Sequence, residues 1–547
     1  MNKKVLSAIL GIALVAMLVL ALLAGCYPGT AANSAEPYLG EYAEGTLVFS
    51  PDGVARLYGK ENVVKKTFTG WDTEQYAYQN TPWDAYRNQI LQVVIQEGVS
   101  PAYTDYWFAE CDNLTNVSIP ENMTNLGRGM FLSCKSLTSI HIPEGVTSIS
   151  PALFLWCRGL TEVNIPDSVT SIGDDAFNSC EKLTDITIPD GVTSIGGHAF
   201  HGCTNLTRIH IPEAVTTMGA YAFYGCEKLI SVTGMEGLSY INEMTFFDCR
   251  SLKEITIPNS VTSLGHSVLE GCASLTSVVI PDSVTEIESC LFANCKSLTN
   301  VKLPVGLTII PLGMFERCLN LETVEIPAGV TEIGAHAFLA CPKLTGIILP
   351  EGVTTIGNYA FAGCKSLTSI DLPKGVTKIA TGLFEGSGLT DVTILEGVTS
   401  IGTYAFRECL GLTSITIPGC VNEMDEMAVG VFWDCDNLTR VIIEEGVNII
   451  SNSMFGNCEK LAHVTIQGSV TSIGYGAFKG CTNLDDIAIA KGITKIGTYA
   501  FYECTSLVGI NFSGTMAEWD AVTKEPNWLV SVPAHSVKCS DGLVGLK

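Results

Sequence analysis

At 547 residues the chain is longer than one hydrophobic core can serve, so several domains or a repeat array are expected. Hydrophobic residues make up 47% and glycines number 53, yet only 16% of residues are charged, a mix too apolar for disorder and too glycine-rich for helical bundles. The 31 basic residues against 56 acidic ones give a formal charge of −25, which repels phosphate backbones and anionic lipid surfaces and argues against nucleic acid as a partner.

Lys3 and Lys4 precede an almost uninterrupted apolar run from Val5 to Leu23, and the small residues Ala24 and Gly25 follow, the pattern of an export signal over residues 1–25. The run Leu23-Ala24-Gly25-Cys26 resembles the bacterial lipobox. That resemblance implies cleavage before Cys26 and a lipid on the new N-terminus, anchoring the protein to a bacterial membrane. The alternative is an uncleaved anchor, since roughly 20 apolar residues span a bilayer. Both readings put the rest of the chain outside the cytoplasm. Residues 26–44 mix Pro, Gly, Ala, Ser and Asn and read as a tether. Residues 45–89 open with Gly45-Thr46-Leu47-Val48-Phe49, carry Trp71 and Trp83, and are expected to form an N-terminal cap.

From Cys111 to Cys364 a cysteine recurs every 23 residues, Ser387 takes the next position, and the series resumes at Cys409, Cys435, Cys458, Cys481 and Cys504. Two irregularities break the period. Gly388 replaces the usual two residues before Leu389, and three extra residues lie between Pro418 and Cys435. Within a unit, alternating Leu137, Ile140 and Ile142 predict a short strand with one buried face, Pro143-Glu144-Gly145 a turn, and Val146-Thr147-Ser148-Ile149 a second extended piece. The Ala176-Phe177-x-x-Cys180 stretch is too short for a free helix and predicts a helical or 3-10 turn. One unit cannot bury its apolar side chains alone, whereas stacked units bury them in a continuous column. About eighteen units at a strand spacing of about 4.8 Å make a core on the order of 85 Å long.

The pattern Leu-x-x-Ile-x-Ile-Pro-x-x-Val-Thr-x-Ile-Gly-x-x-Ala-Phe-x-x-Cys resembles the BspA-like class of leucine-rich repeat, and it covers Ile90 to Cys504. The resemblance implies a right-handed curved solenoid, β-rich, with a parallel sheet on its concave side. It also implies a surface protein linked to adhesion and protein binding. The repeats are placed at residues 90–510. A C-terminal cap is placed at 511–547, where Phe512 to Trp519 and Val537 to Gly542 resemble the segment that ends such proteins.

Evenly spaced cysteines beside core Phe and Leu positions read as reduced, buried thiols, because disulfide scaffolds are small and irregularly spaced. Neighbouring Cβ atoms roughly 5 Å apart would also exceed the ~3.8 Å of a relaxed disulfide. Cys290, Cys420 and Cys539 fall outside the ladder. His198, His201 and Cys203 could form a weak metal cluster, but Cys203 belongs to the ladder, so two unrelated surface histidines are the expectation. Glu144, Asp167, Asp190 and Glu213 stack in a turn column that reads as solvated acidic turns, since calcium needs several oxygens converging from one loop. Sequons at Asn113, Asn205 and Asn437 arise from the repeat's own Asn-Leu-Thr. No phosphate loop, His-Glu-x-x-His or nucleophile elbow occurs in the sequence. Neither an enzyme nor a cofactor or metal is expected.

One outward residue per strand remains as the candidate binding face: His141, Asn164, Thr187, His210, Thr256, Lys302, Glu325 and Asp371, with Thr233, Val279, Ile348, Thr393 and Thr416 in the same column. The column varies while the core does not. The expectation is a monomeric, lipid-anchored surface protein that binds an extracellular protein or glycan. A structural envelope spacer with no specific ligand is the alternative.

Overall fold

The computed structural model describes residues 42–71, 78–423 and 428–546. Each coil of the array turns its Leu, Ile, Val, Ala, Phe and Cys positions inward. Leu183, Ile186, Ile188, Val192, Ile195, Ala199, Phe200 and Cys203, one full coil, are all at most 5% exposed. The core is therefore a column continuous across every repeat.

Two sets of short parallel strands flank it. The first set, with strands such as Ser139–His141, Glu162–Asn164, Arg208–Ile211 and Ser231–Gly234, pairs each residue with the one 23 positions on: Ile140 with Val163, His210 with Thr233. The second set consists of two-residue strands, Ser148–Ile149, Ser171–Ile172, Ser194–Ile195 and Thr217–Met218 forming one run. The register is fixed because a one-residue slip would turn every core side chain to solvent. Recurrent threonines add to it. Thr170, Thr193 and Thr216 each donate a hydroxyl hydrogen bond to the carbonyl of the threonine one repeat earlier, at 3.1, 3.2 and 3.4 Å. Where a glycine follows a second strand the next coil comes close: a Cβ on Gly219 would lie 2.3 Å from the Gly197 nitrogen.

The Ala-Phe-x-x-Cys segment is a run of tight turns rather than the expected helical or 3-10 turn. Two residues per coil are left-handed, four positions apart, such as Asp175 and Ser179 or Tyr221 and Gly225, at φ from 57° to 67°. This alternation aims every second N–H along the array. Asp175, Phe177 and Ser179 donate to the carbonyls of Gly197, Ala199 and His201 in the next coil at 2.9, 2.8 and 2.6 Å. Strain of about 1–2 kcal/mol for each left-handed non-glycine residue is offset by three backbone hydrogen bonds between each pair of coils.

Two side-chain ladders run beneath these turns. Phe108 to Phe246 stack without a break, Leu269 interrupts, and Phe292 to Phe501 resume, with ring centroids 5.1–5.9 Å apart. These distances are those of offset-stacked rings, and the first strand set is termed inner for the concave side that the leucine-rich-repeat resemblance implies. Beside the rings, from Cys134 onward each ladder thiol donates to the carbonyl of the aromatic position one repeat earlier: Cys180 to Phe154 at 3.3 Å, Cys203 to Phe177 at 3.2 Å, Cys295 to Leu269 at 3.1 Å. The cysteine is thus a small core side chain that also fills the second lone pair of a buried carbonyl, a role composition alone does not reveal. Ser387 keeps the position polar, with its hydroxyl 3.5 Å from the Cys409 sulfur. All twenty described cysteines are free thiols. With Ellman's reagent at about pH 8, reaction of the native protein is expected at half-buried Cys290 and Cys420, slowly at Cys290, whose thiol burial pushes up to about 11. The ladder thiols should react only on denaturation. Rapid labelling of several ladder thiols in the native state would contradict this packing.

At the N-terminal end an antiparallel meander of Thr46–Ser50, Val54–Tyr58 and Val64–Thr69 joins the first coils through parallel pairing of Thr46–Ser50 with Gln92–Ile95. Phe49 packs edge-on to Trp71 and Trp83 and stacks on Trp107, and the Trp83 indole donates to the Trp107 carbonyl at 2.6 Å. At the other end Gly509–Phe512 pairs with Ser536–Cys539, which turns back as Gly542–Gly545. The short helix Met516–Ala521 is held by a Thr515–Glu518 capping box and buries Trp519 against Phe512.

Candidate binding face

The alternation of the inner strands sends one side chain per coil out of the sheet. His141, Asn164, Thr187, His210, Thr256, Lys302, Glu325 and Asp371 are all exposed and occupy the same register position in successive coils. Direct neighbours on paired strands are His141 with Asn164, His210 with Thr233 and Val279 with Lys302. His210 and Thr233 also bond side chain to side chain, Nδ1 to Oγ1 at 3.1 Å. His141 instead reaches the turn, with Nε2 3.0 Å from Glu121 Oε1. That contact, with the Glu144 N–H, holds the Glu121 carboxyl below its ordinary range. Cys26 lies outside the described residues.

The face is not uniform. The strand ladder is continuous over Ser414–Ile417, Arg440–Ile443, His463–Ile466, Asp486–Ile489 and Gly509–Phe512. Across residues 323–394 it shrinks to a single bridge, Thr323 to Gly346. Across the start of that stretch two adjoining hollows share Thr323, Glu325, Ile326 and Ala328 and form one groove from Asn300 to Asp371. Gly346 opens its floor, because no heavy atom lies within 4 Å of the place a Cβ would take. Ile348 stands beside it at 87% exposure and Val305 at 69%. The reading of outward strand residues missed Val305, Ala328 and Gly346. Their signal was in the sequence, since Val305 and Ala328 take turn positions that hold carboxylates at Glu144, Asp167, Asp190 and Glu213.

Other candidates separate. The His198 and His201 rings lie 5.7 Å apart, each stacked on a tyrosine, Tyr221 and Tyr224. The Cys203 thiol points away to the Phe177 carbonyl. Burial, then the neighbouring His198, lowers the His201 pKa. Among the described residues no group of three or more His, Cys, Asp or Glu side chains is placed to hold a metal. The sequon asparagines have structural work: Asn205 Nδ2 donates to the Glu181 carbonyl at 2.6 Å, and Asn437 and Asn113 do likewise one coil back. No described helix is long and apolar enough to cross a membrane.

A buried column that hardly changes, a 23-residue register broken at two units and a variable outward row define a leucine-rich-repeat solenoid. The chain belongs to the BspA type leucine rich repeat region family, whose model matches residues 102–230, 216–345, 331–430 and 426–522. Such arrays are as a rule binding scaffolds rather than catalysts, and BspA-like proteins are typically cell-surface proteins. Among solved structures, the chain is similar to a leucine-rich repeat protein from Bacteroides ovatus, at 29% identity over 61% of this chain and 78% of that one, TM-score 0.49. A leucine rich cell surface protein from Faecalibacterium prausnitzii is also 29% identical, over 52% and 74%, TM-score 0.34. A leucine-rich repeat protein from Eubacterium ventriosum is 24% identical over 63% and 96%, TM-score 0.41. A comparison with curated proteins finds no match.

Proposed function

We propose that this chain is an extracytoplasmic binding protein, lipid-anchored through Cys26, that recognises a protein or glycan on a host, a matrix or a neighbouring cell. One observation carries the reading: side chains of differing charge, size and polarity stand in a single exposed row above a core that hardly changes. A rigid backbone with a variable row presents diverse chemistry at fixed spacing, which lowers the ordering cost of recognition. No step requires a catalytic group.

The test is binding of the full chain to arrays of matrix proteins and glycans. Saturable binding that falls at least tenfold in a K302E/E325K variant supports the reading. Absence of binding at any salt concentration favours the spacer. The anchor is tested separately by feeding expressing cells labelled palmitate. The wild-type chain should take up label and partition into detergent, and Cys26→Ser should do neither. A labelled, membrane-bound Cys26→Ser chain would place the anchor elsewhere.

A further inference from the structure

The groove between Asn300 and Asp371 differs chemically from the rest of the row. Elsewhere the outward positions are mostly Thr, Asn or His, as at Thr187, His210 and Thr256. Here Ile348 stands almost wholly in water next to the opening at Gly346, and Val305 and Ala328 extend the apolar strip along the adjoining turns. Exposed Glu325 and Asp371 flank Ile348 one coil to either side, and exposed Glu322 and Glu351 adjoin the lining residues Thr323 and Pro350 in sequence. Lys302 stands at one end and Lys374 at the other. An apolar anchor inside a rim of charge is the anatomy of an interaction hot spot.

The groove crosses four coils, about 14 Å at strand spacing, which fits an extended segment of four or five residues. A carboxylate rim around an apolar floor complements a segment that carries a Leu-, Ile- or Val-type side chain between lysines or arginines. Its lining contains no aromatic ring on which a sugar could stack. The overall charge of −25 disfavours an anionic bilayer as occupant.

We infer that this groove binds an extended protein segment in which an apolar residue is flanked by basic ones, the apolar side chain seating against Ile348 and Gly346 and the cations meeting Glu325 and Asp371. The inference rests on the binding-scaffold reading and narrows it to one site and one ligand class.

Fluorescence anisotropy of the full chain with a labelled Gly-Lys-Leu-Lys-Gly peptide tests it, with Gly-Glu-Leu-Glu-Gly and Gly-Lys-Ser-Lys-Gly as comparisons. The first peptide should bind at least tenfold tighter than either, and less tightly in about 0.5 M salt, where charges are screened beyond a few ångströms. Ile348→Ser should lose at least tenfold. E325Q/D371N should lose a similar factor and most of the salt dependence. These side chains are exposed, so unchanged circular dichroism is expected and separates lost binding from lost fold. Equal binding of the acidic peptide, wild-type binding by Ile348→Ser and by E325Q/D371N, or failure of all peptides to bind overturns the inference, as does an oligosaccharide that competes at Ile348. Array binding that survives Ile348→Ser but is lost on changing His141 and Asn164 defeats this site while leaving the wider reading intact. Array binding that no variant of the row affects defeats the wider reading itself.

Discussion

Raising the pH from about 8 toward about 12 is expected to destabilise the array increasingly steeply, and serine substitution along the cysteine ladder is expected to flatten that dependence. Burial is the first cause in every case: it pushes the thiols of Cys111, Cys157, Cys203, Cys364, Cys409 and Cys504 up to about 12. The thiols of Cys134, Cys180, Cys226 and Cys318 lie well above their ordinary value, raised further by neighbouring ladder thiols. An unfolded thiol releases its proton near pH 8.5. Between that point and the folded value the unfolded chain binds fewer protons than the native one, so stability falls as pH rises. The contribution is fully present below the unfolded pKa and lost on the way up to the folded one. Each thiol freed in a cooperative opening adds about 1.4 kcal/mol per pH unit. The slope therefore counts the coils that open together. Urea unfolding at several pH values, followed by tryptophan fluorescence, measures it. Replacing Cys180, Cys203 and Cys226 with serine should lower the slope by about 4 kcal/mol per pH unit if all three open together. A slope unchanged by those replacements would assign alkaline loss of stability to general charge repulsion instead.

The period of the cysteines, the alternation of Leu137, Ile140 and Ile142, and the Pro-Glu-Gly turn made the solenoid and its inner row legible, because each reflects a buried position that recurs every coil. The tight turns were not legible. Their left-handed positions hold Asp175, Tyr221, Cys290 and Tyr404 as readily as Gly313, since the hydrogen bonds to the next coil, and not side-chain identity, stabilise that backbone. The thiol-to-carbonyl bond was hidden for a related reason: in sequence a cysteine that donates looks the same as one that only fills space. The groove escaped because it depends on what is missing, a side chain at Gly346 and carboxylates at Val305 and Ala328. Such departures matter only once the coils are stacked.

The missing strand bonds across residues 323–394, the longest gap in the inner ladder among the described residues, make the middle of the array a weak seam, which leads to the second large effect. Phe338→Ala is expected to split unfolding into two transitions, whereas Phe455→Ala should lower the midpoint of one. Both rings are fully buried. Phe338 stacks at 5.2 Å on Phe315 and 5.4 Å on Phe361, and Phe455 at 5.5 Å on each neighbour. Either truncation costs about 3–5 kcal/mol through lost burial and the cavity left behind. In a quasi-one-dimensional array the consequence depends on the interface that remains. Around Phe455 the coils stay tied by the seven-stranded inner sheet that runs from Ser414–Ile417 to Gly542–Gly545. Around Phe338 the inner face offers the Thr323–Gly346 bridge and the bonds of the Thr345 amide and hydroxyl to the Glu322 carbonyl, leaving the second strand set and the turn hydrogen bonds to couple the two halves. Losing the ring there should uncouple them, with amide exchange accelerating first near Phe315 to Phe361. If both variants unfold in one transition with equal loss, the inner ladder contributes nothing to coupling and the seam lies elsewhere, the break in the phenyl stack at Leu269 being the next place to look.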